Sequence, residues 1–200
     1  MTPTIVGICG PTSTGKTSLA RRAAASFEEV THVPMDDFFK DAKDAPMQGD
    51  IPHWNIPESV HLDQLVAVLT NLRDNNAVEV PLYSKPLSAR IGTQTLRPSP
   101  VILVEGTLIY SSPEILNLCS LKIFIRTTAD TILSRYASRI NDYSTGMRYL
   151  TDLVFPTLDE YTEHYSRYAD VILDGTLPLE HSERDLFSHL TKTIQTIYSH

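Results

Sequence analysis

The stretch "GICGPTSTGKTS", residues 7–18, decides the fold, because it places a glycine-rich turn between an apolar segment and a helical one. The segment before it, "TIVGIC" (Thr4–Cys9), is short, β-branched and apolar, which indicates a buried strand. The segment after it, "KTSLARRAAASF" (16–27), is rich in alanine and arginine, which favour a helix. The order strand, glycine-rich turn, helix is the context in which phosphate-binding loops occur.

Residues 10–17 fit the phosphate-binding pattern G-x-x-x-x-G-K-[ST] at every position. Gly10 and Gly15 let phosphate oxygens approach backbone N–H groups, and the helix that follows adds its positive end. Lys16 is expected to reach the β- and γ-phosphates of ATP, and the Thr17 hydroxyl to bind Mg²⁺. The residues predicted to contact the nucleotide are Gly10, Thr12, Ser13, Thr14, Gly15, Lys16, Thr17 and Ser18. The pattern does not separate ATP from GTP.

Strand-like and helix-like segments alternate along the rest of the chain, which predicts an α/β fold with a parallel sheet. Further strands are predicted at 31–35, 100–106, 121–127 and 170–175, and a hairpin from 77–83 and 90–96. Helices are predicted at 57–72, 129–140, 150–169 with an interruption at Pro156, and about 180–197. Residues 38–57 are expected to form a loop, and "DYSTG" (142–146) a break.

The composition excludes several classes of protein. With 200 residues and a net charge of −7, the chain fits one domain and lacks the basic character of a nucleic-acid-binding protein. Cys9 and Cys119 each adjoin an apolar run and are expected to be buried thiols, without a disulfide or zinc site. No apolar run approaches the ~20 residues of a membrane helix, so we expect no membrane partner and a cytoplasmic location.

Acidic residues follow two predicted strands. Asp36 and Asp37 come after the second strand; because neighbouring strand residues face opposite sides, we expect only one of them to face the cleft. There it would orient an acceptor hydroxyl and take its proton, whereas the alternative is a solvated acidic turn. Glu105 ends the apolar segment "VILVEG", where ligands bind in open α/β sheets, so it is a candidate ligand of Mg²⁺ or its water; the alternative is an exposed strand end.

Two arginines lie on one face of a predicted helix. Arg135 and Arg139 are four residues apart and precede a glycine-containing break. They are candidates for a mobile lid over the transferring phosphate, and the alternative is a solvated helix face.

The chain resembles the uridine kinase family of P-loop kinases, including its nicotinamide riboside kinase branch. The resemblance covers about residues 4–180 and is carried, in family order, by "GPTSTGKTS", "DDFFK", "WNIPES", "VEGTLIY", "SRYASR", "FPTLDEY" and "ADVILDG". "DDFFK" and "DGT" are similar to nicotinamide riboside kinases, whereas "VPLYSKPLSAR" is more similar to the hairpin segment of uridine kinases. The resemblance implies a P-loop NTPase fold of the NMP-kinase-like type, with three layers, a parallel sheet, a small β-hairpin and a helical lid.

The resemblance also implies roles for individual residues. It implies that Asp36 is the catalytic base, that Thr17 and Glu105 serve Mg²⁺, and that Arg135 and Arg139 belong to the lid. The residues that it places on the substrate side are Asp36, Phe39, Lys40, Trp54, Asn55, Tyr83, Arg90 and Glu105. It implies one kinase domain over residues 1–200, with a substrate-binding insertion at about 38–57, a hairpin at about 78–97 and a lid at about 135–150.

Three positions depart from the family pattern. Asn55 stands where the family commonly has an aspartate that bonds ribose hydroxyls, and the lost negative charge favours a cationic nucleoside less. Ser84 and Ser88 replace an aspartate and a histidine of the uridine kinase pattern, which weakens the case for uridine.

Trp54, by contrast, agrees with the family pattern. It falls where the family places an aromatic residue against the base, although a lone tryptophan also fits a loop core.

The predicted function is therefore ATP- and Mg²⁺-dependent phosphorylation of the 5′-hydroxyl of a ribonucleoside, either nicotinamide riboside or uridine/cytidine. One alternative is a P-loop kinase for another small alcohol, such as pantothenate or a sugar phosphate. Another is a nucleotide-dependent switch or binding protein, which would carry a guanine-binding N-K-x-D motif that the sequence lacks. The sequence leaves open whether the protein is a homo-oligomer.

Overall fold

A computed structural model describes residues 2–138 and 143–199 of the chain. Five strands form one sheet, namely β1 (Thr4–Cys9), β2 (Val30–Pro34), β7 (Val101–Gly106), β8 (Cys119–Arg126) and β9 (Val171–Asp174). Their order in the sheet is β2-β7-β1-β8-β9, and every neighbouring pair is parallel. The predicted parallel sheet is confirmed.

Helices cover both faces of the sheet, which explains why its central strands are almost entirely apolar. All six residues of β7 are buried, Glu105 included. The helices are α1 (Lys16–Ser26), α2 (Leu62–Arg73), α3 (Pro113–Leu118), α4 (Ala129–Ala137), α5 (Tyr143–Tyr149), α6 (Leu158–Ser166) and α7 (Leu179–Tyr198). One core cluster packs α1 and α7 against the sheet, and a second packs α2, α3 and α6 against the opposite face. The result is a three-layer α/β architecture.

The strand order places a ligand site at one edge of the sheet. The chain goes from β1 to β2, but β7 lies between these two strands, so β1 is flanked by β7 and β8. In open parallel sheets, ligands bind where the strand order reverses in this way, beyond the carboxyl ends of the strands. Glu105 is in register with Ile8 of β1 and Pro34 of β2, which brings it to that edge.

Two antiparallel hairpins stand apart from the sheet. Strands β5 (Val78–Ser84) and β6 (Ala89–Leu96) form the hairpin that the alternating pattern predicts, with residues 85–88 as its turn. A smaller hairpin, β3 (Met47–Gln48) and β4 (Ile51–Pro52), lies within residues 38–57, where the sequence predicted only a loop. Its strands are two residues long, too short to leave an alternating pattern.

Three predicted boundaries were wrong. Strand β2 ends at Pro34 rather than Met35, and Met35–Phe38 form a 3₁₀ turn. Helix α2 begins at Leu62 because Pro57–Ser59 form a separate 3₁₀ turn. The predicted break at 142–146 is helical from residue 143 onward.

Other features agree with the sequence. The helical stretch around Pro156 is interrupted as predicted: a π turn at Leu150–Val154 and a 3₁₀ turn at Phe155–Thr157 separate α5 from α6. Pro156 cannot donate a helical hydrogen bond, which accounts for the interruption. Cys9 and Cys119 are buried free thiols, as expected. Among the helices of residues 2–138 and 143–199, none combines the length and the apolar character needed to span a membrane.

Candidate active site

The phosphate-binding loop connects β1 to α1, and its backbone is held in conformations that suit glycine. Gly15 is the N-cap of α1 with a φ of 91°, and Gly10 has a φ of 156°. A Cβ atom on Gly10 would lie 2.6 Å from the backbone oxygen of Ile125, and one on Gly15 would lie 2.9 Å from Leu179. The backbone of Ile125 therefore leaves no room for a side chain at Gly10, whereas at Gly15 the φ of 91° is what disfavours any other residue.

Lys16 is buried at the start of α1, with 6% of its surface exposed. Its ammonium donates hydrogen bonds to the Pro11 carbonyl at 2.7 Å and to the Thr14 hydroxyl at 3.4 Å. Burial lowers the pKa of Lys16, and the negative charges of Glu105 and Asp36 partly oppose that shift. The loop thus holds a desolvated cation next to its own backbone, where it can exert a strong field on a phosphate.

Glu105 supplies a buried carboxylate on the same side of the sheet. It is 1% exposed, and one of its oxygens lies 3.4 Å from Nε2 of His32 on the neighbouring strand. Burying a carboxylate is costly unless charges or donors compensate it. Two residues compensate this carboxylate: Lys16, at the start of α1, attracts it by its charge, and His32, on β2, contacts it through its ring nitrogen.

Asp36 and Asp37 diverge on the 3₁₀ turn that follows β2. Asp36 lines the cleft above the phosphate-binding loop, and one of its oxygens lies 2.5 Å from Nζ of Lys85. Asp37 instead accepts a hydrogen bond from the backbone N–H of Tyr83 at 3.2 Å, and burial raises its pKa. One of the two carboxylates therefore faces the cleft, and the other fixes the β5–β6 hairpin.

The cleft has a volume of about 750 Å³, and several aromatic side chains line it. The ring of Phe39 packs edge-on against Trp54 at a centroid distance of 5.5 Å, and it lies 6.0 Å from the ring of Tyr83. Tyr136 and Tyr149 stack at 6.4 Å and line the same cleft from α4 and α5. Aromatic rings that line a cleft suit a flat ring system that can stack on them.

Most of the residues predicted from the sequence meet in this cleft. The ones that line it are Thr12, Ser13, Gly15, Lys16, Thr17, Ser18, Asp36, Phe39, Trp54, Asn55, Tyr83 and Glu105. They come from the phosphate-binding loop, the turn after β2, residues 38–57, the hairpin and the end of β7. The cleft thus brings together phosphate-binding residues, aromatic side chains and the carboxylate of Asp36.

Five predicted residues do not line the cleft surface. Gly10 and Thr14 shape the phosphate-binding loop from within, and the Thr14 hydroxyl donates to the Pro11 carbonyl at 3.0 Å. Lys40 contributes its carbonyl, which accepts from the Tyr83 hydroxyl at 3.2 Å. Arg90 points away, and its guanidinium donates to Gln64 at 2.8 Å.

The fifth of these residues, Arg135, reaches the phosphate-binding loop from helix α4. Its guanidinium donates to the carbonyl of Ser13 at 3.4 Å and to that of Leu177 at 3.1 Å. Arg139, the second predicted lid arginine, lies outside the described residues.

Other residues of the cleft were missed by sequence reasoning. These are Ile51, Pro52, Lys85, Pro86, Ser88, Thr107, Tyr136, Gly146 and Tyr149. Lys85 lies in the turn of the hairpin, where a lysine is ordinarily solvated, so the segment was expected on the substrate side but nothing in it singled out this lysine. Tyr136 stands beside Arg135 on α4, and its position next to a predicted lid residue was the available hint.

A family model described as the phosphoribulokinase / uridine kinase family matches residues 5–176. The chain is 32% identical over 181 residues to a uridine kinase of Chlamydia pneumoniae, covering 86% of this chain and 81% of that protein. It is 28% identical over 190 residues to a "probable uridine-cytidine kinase" of Caenorhabditis elegans, covering 86% and 76% of the two chains.

A solved structure titled as a possible uridine kinase from Bacillus stearothermophilus superimposes with a TM-score of 0.65 at 17% sequence identity. The match covers 87% of this chain and 90% of that one. At such low identity the likeness concerns the fold alone. Together with the parallel sheet, it confirms the predicted α/β P-loop kinase fold.

Proposed function

Because the chain belongs to the phosphoribulokinase / uridine kinase family, and is therefore a kinase, we propose that it phosphorylates the 5′-hydroxyl of a pyrimidine ribonucleoside with ATP and Mg²⁺. The observation that carries this proposal is the position of Asp36 in the cleft. Its carboxylate lines the same cleft as Lys16 of the phosphate-binding loop and the aromatic ring of Trp54. A nucleoside whose base packs among the rings would present its hydroxyl to Asp36.

The residues of the cleft fit Mg²⁺ that arrives with the nucleotide. Thr17 and Glu105 offer a hydroxyl and a carboxylate oxygen at the same edge of the sheet, and Mg²⁺ prefers oxygen ligands. The described part of the chain contains no group of three His, Cys, Asp or Glu side chains arranged to hold a metal alone. The two oxygens of Thr17 and Glu105 suit Mg²⁺, which is commonly held by one or two protein oxygens plus substrate phosphates. When bound, Mg²⁺ supplies charge neutralisation on the β- and γ-phosphates.

The protein's own contribution to the transfer is positioning and charge. Backbone N–H groups of residues 10–17 and the Lys16 ammonium hold the triphosphate. Asp36 orients the acceptor hydroxyl toward the γ-phosphorus and takes its proton. Arg135, next to Ser13 of the loop, belongs to a lid at about 135–150 that covers the transferring phosphate. Residues 38–57 and the hairpin at about 78–97 form the acceptor side of one kinase domain.

A neutral pyrimidine fits the acceptor half better than a cationic pyridinium. Lys85 lines the cleft, and Asn55 stands in it where the family commonly has an aspartate. Both features remove attraction for a positively charged base. Uridine and cytidine are therefore favoured over nicotinamide riboside, in agreement with the names of the curated relatives.

A coupled assay of ADP release tests this function. The acceptors are uridine, cytidine, nicotinamide riboside, adenosine and pantothenate, each with ATP and Mg²⁺, and a reaction without acceptor measures basal hydrolysis. We expect ATP turnover to rise sharply with uridine or cytidine. Turnover that rises only with pantothenate would instead identify a kinase for another alcohol, and turnover that no acceptor increases would favour a switch or binding protein.

A further inference from the structure

A second lysine reaches the reaction centre from outside the phosphate-binding loop. Lys85 lies in the turn between β5 and β6, and its ammonium is 2.5 Å from a carboxylate oxygen of Asp36. Both residues line the cleft that holds Lys16, Thr17 and Glu105. The hairpin thus brings a cation to the carboxylate that we propose as the base.

The charge of Lys85 acts on the same centre as Lys16. Partial desolvation alone would lower the pKa of Lys85, but its attraction to Asp36 and Glu105 outweighs that effect, and its pKa lies above the ordinary value. Conversely, Lys85 contributes to the lowered pKa of Lys16. Lys85 is therefore a firmly charged cation within electrostatic reach of both carboxylates and of the phosphate-binding lysine.

Folding stability does not explain this contact. The Lys85 side chain is 69% exposed, and ion pairs of that exposure contribute little to stability. A lysine in a hairpin turn would be well hydrated if it pointed into solvent. Its flexible stem and compact charge instead allow the ammonium to move between a carboxylate and a nearby phosphoryl oxygen.

The hairpin that carries Lys85 is tied to the segment that carries Asp36. The backbone N–H groups of Tyr83 and Arg90 donate to the carboxylates of Asp37 and Asp41, at 3.2 and 2.9 Å. These two hydrogen bonds lie on either side of the turn, so they hold the backbone around Lys85 in place.

We propose that Lys85 is a further catalytic residue, which holds Asp36 toward the acceptor hydroxyl and then pairs with the γ-phosphoryl group during its transfer. The proposal rests on the kinase function proposed above. In the step, the acceptor oxygen bonds to the γ-phosphorus and its proton passes to Asp36. The bond to the β–γ bridging oxygen breaks, and its electron pair leaves on ADP. The ammonium neutralises charge on the equatorial oxygens in transit.

The test compares Lys85→Met and Lys85→Arg with the wild type. A matched control is Lys192→Met, which removes an exposed lysine on α7 that does not line the cleft. We expect Lys85→Met to lower kcat by about 10²- to 10³-fold, the range seen when one preorganised donor to the transition-state charge is removed. The affinity for Mg·ADP and the midpoint of thermal unfolding should match the wild type. Lys85→Arg should retain more activity than Lys85→Met.

A transition-state mimic separates contact with the phosphoryl group from substrate binding. We expect Lys85→Met to weaken binding of aluminium fluoride to the Mg·ADP–nucleoside complex by a factor similar to its loss in kcat. An unchanged kcat, or a change confined to the nucleoside KM, would overturn the role of Lys85. If the wild type itself phosphorylates no nucleoside, the proposed function fails instead, and the two failures are thereby distinguished.

Discussion

At one end of the cleft the phosphate-binding loop is built from backbone and a buried lysine, whereas the acceptor end is assembled from partly buried side chains of several separate segments. Lys16 is 6% exposed and is held by its own loop, but the Lys85 side chain is 69% exposed and comes from a separate hairpin. Backbone recognition needs glycines and a lysine at fixed spacing, which is visible as a motif. The acceptor end needs only that distant segments meet, which leaves no spacing to detect.

The largest effect is expected at the phosphate-binding end. Gly10→Ala would place a Cβ atom 2.6 Å from the Ile125 carbonyl, at a φ that disfavours L-residues. We expect the free energy of unfolding to fall by about 1–3 kcal/mol, as overpacking does, together with most of the ATP affinity. Denaturant titration and nucleotide binding measure both.

Gly92→Ala is the matched control for this substitution. Gly92 lies on β6, and a Cβ atom there would meet nothing within 4 Å. We expect it to change stability by no more than about 0.5 kcal/mol. Equal losses in the two variants would contradict the account of close approach at Gly10.

A smaller effect is expected at the acceptor end. Trp54→Ala removes a ring that packs against Phe39 in the cleft, and stacking of a base on an aromatic ring contributes about 1–3 kcal/mol. We expect the nucleoside KM to rise about tenfold with little change in kcat, because the base contacts the ring equally in the ground state and in the transition state. Tyr198→Ala, at an exposed position of α7, should leave the KM unaltered. An unchanged KM in Trp54→Ala would assign this residue to packing.

The smallest effect is expected at Asp37, whose carboxylate ties the turn after β2 to the β5–β6 hairpin. Burial raises the pKa of Asp37 in the folded protein, so the folded state binds more protons than the unfolded state between the ordinary pKa and the raised one. The Asp37 contribution to the free energy of unfolding therefore decreases as pH rises through that window. Asp37→Asn should remove this slope while its amide oxygen still accepts from Tyr83. Denaturation at several pH values measures it, and an identical slope in both proteins would argue against the buried carboxylate.

The two ends of the cleft also differ in how well their structure could be predicted from the sequence. The apolar strands, the phosphate-binding loop and the hairpin were predictable because each depends on residues close in sequence. The 3₁₀ turn at Met35–Phe38 was not. The sequence predicted from strand alternation that only one of Asp36 and Asp37 faces the cleft, but it is this turn that directs them apart. Lys85 escaped because its partner is about fifty residues away and the pairing arises only from the docking of the hairpin.

The central claim is that Asp36 acts on the acceptor and not on the nucleotide. Single-turnover transfer from ATP to uridine in Asp36→Asn tests it most directly, with Mg·ATP affinity measured on the same protein. We predict that transfer slows by about 10²- to 10⁴-fold, as expected for a lost general base, while Mg·ATP binds as in the wild type. Transfer at a near-normal rate in Asp36→Asn would contradict the account.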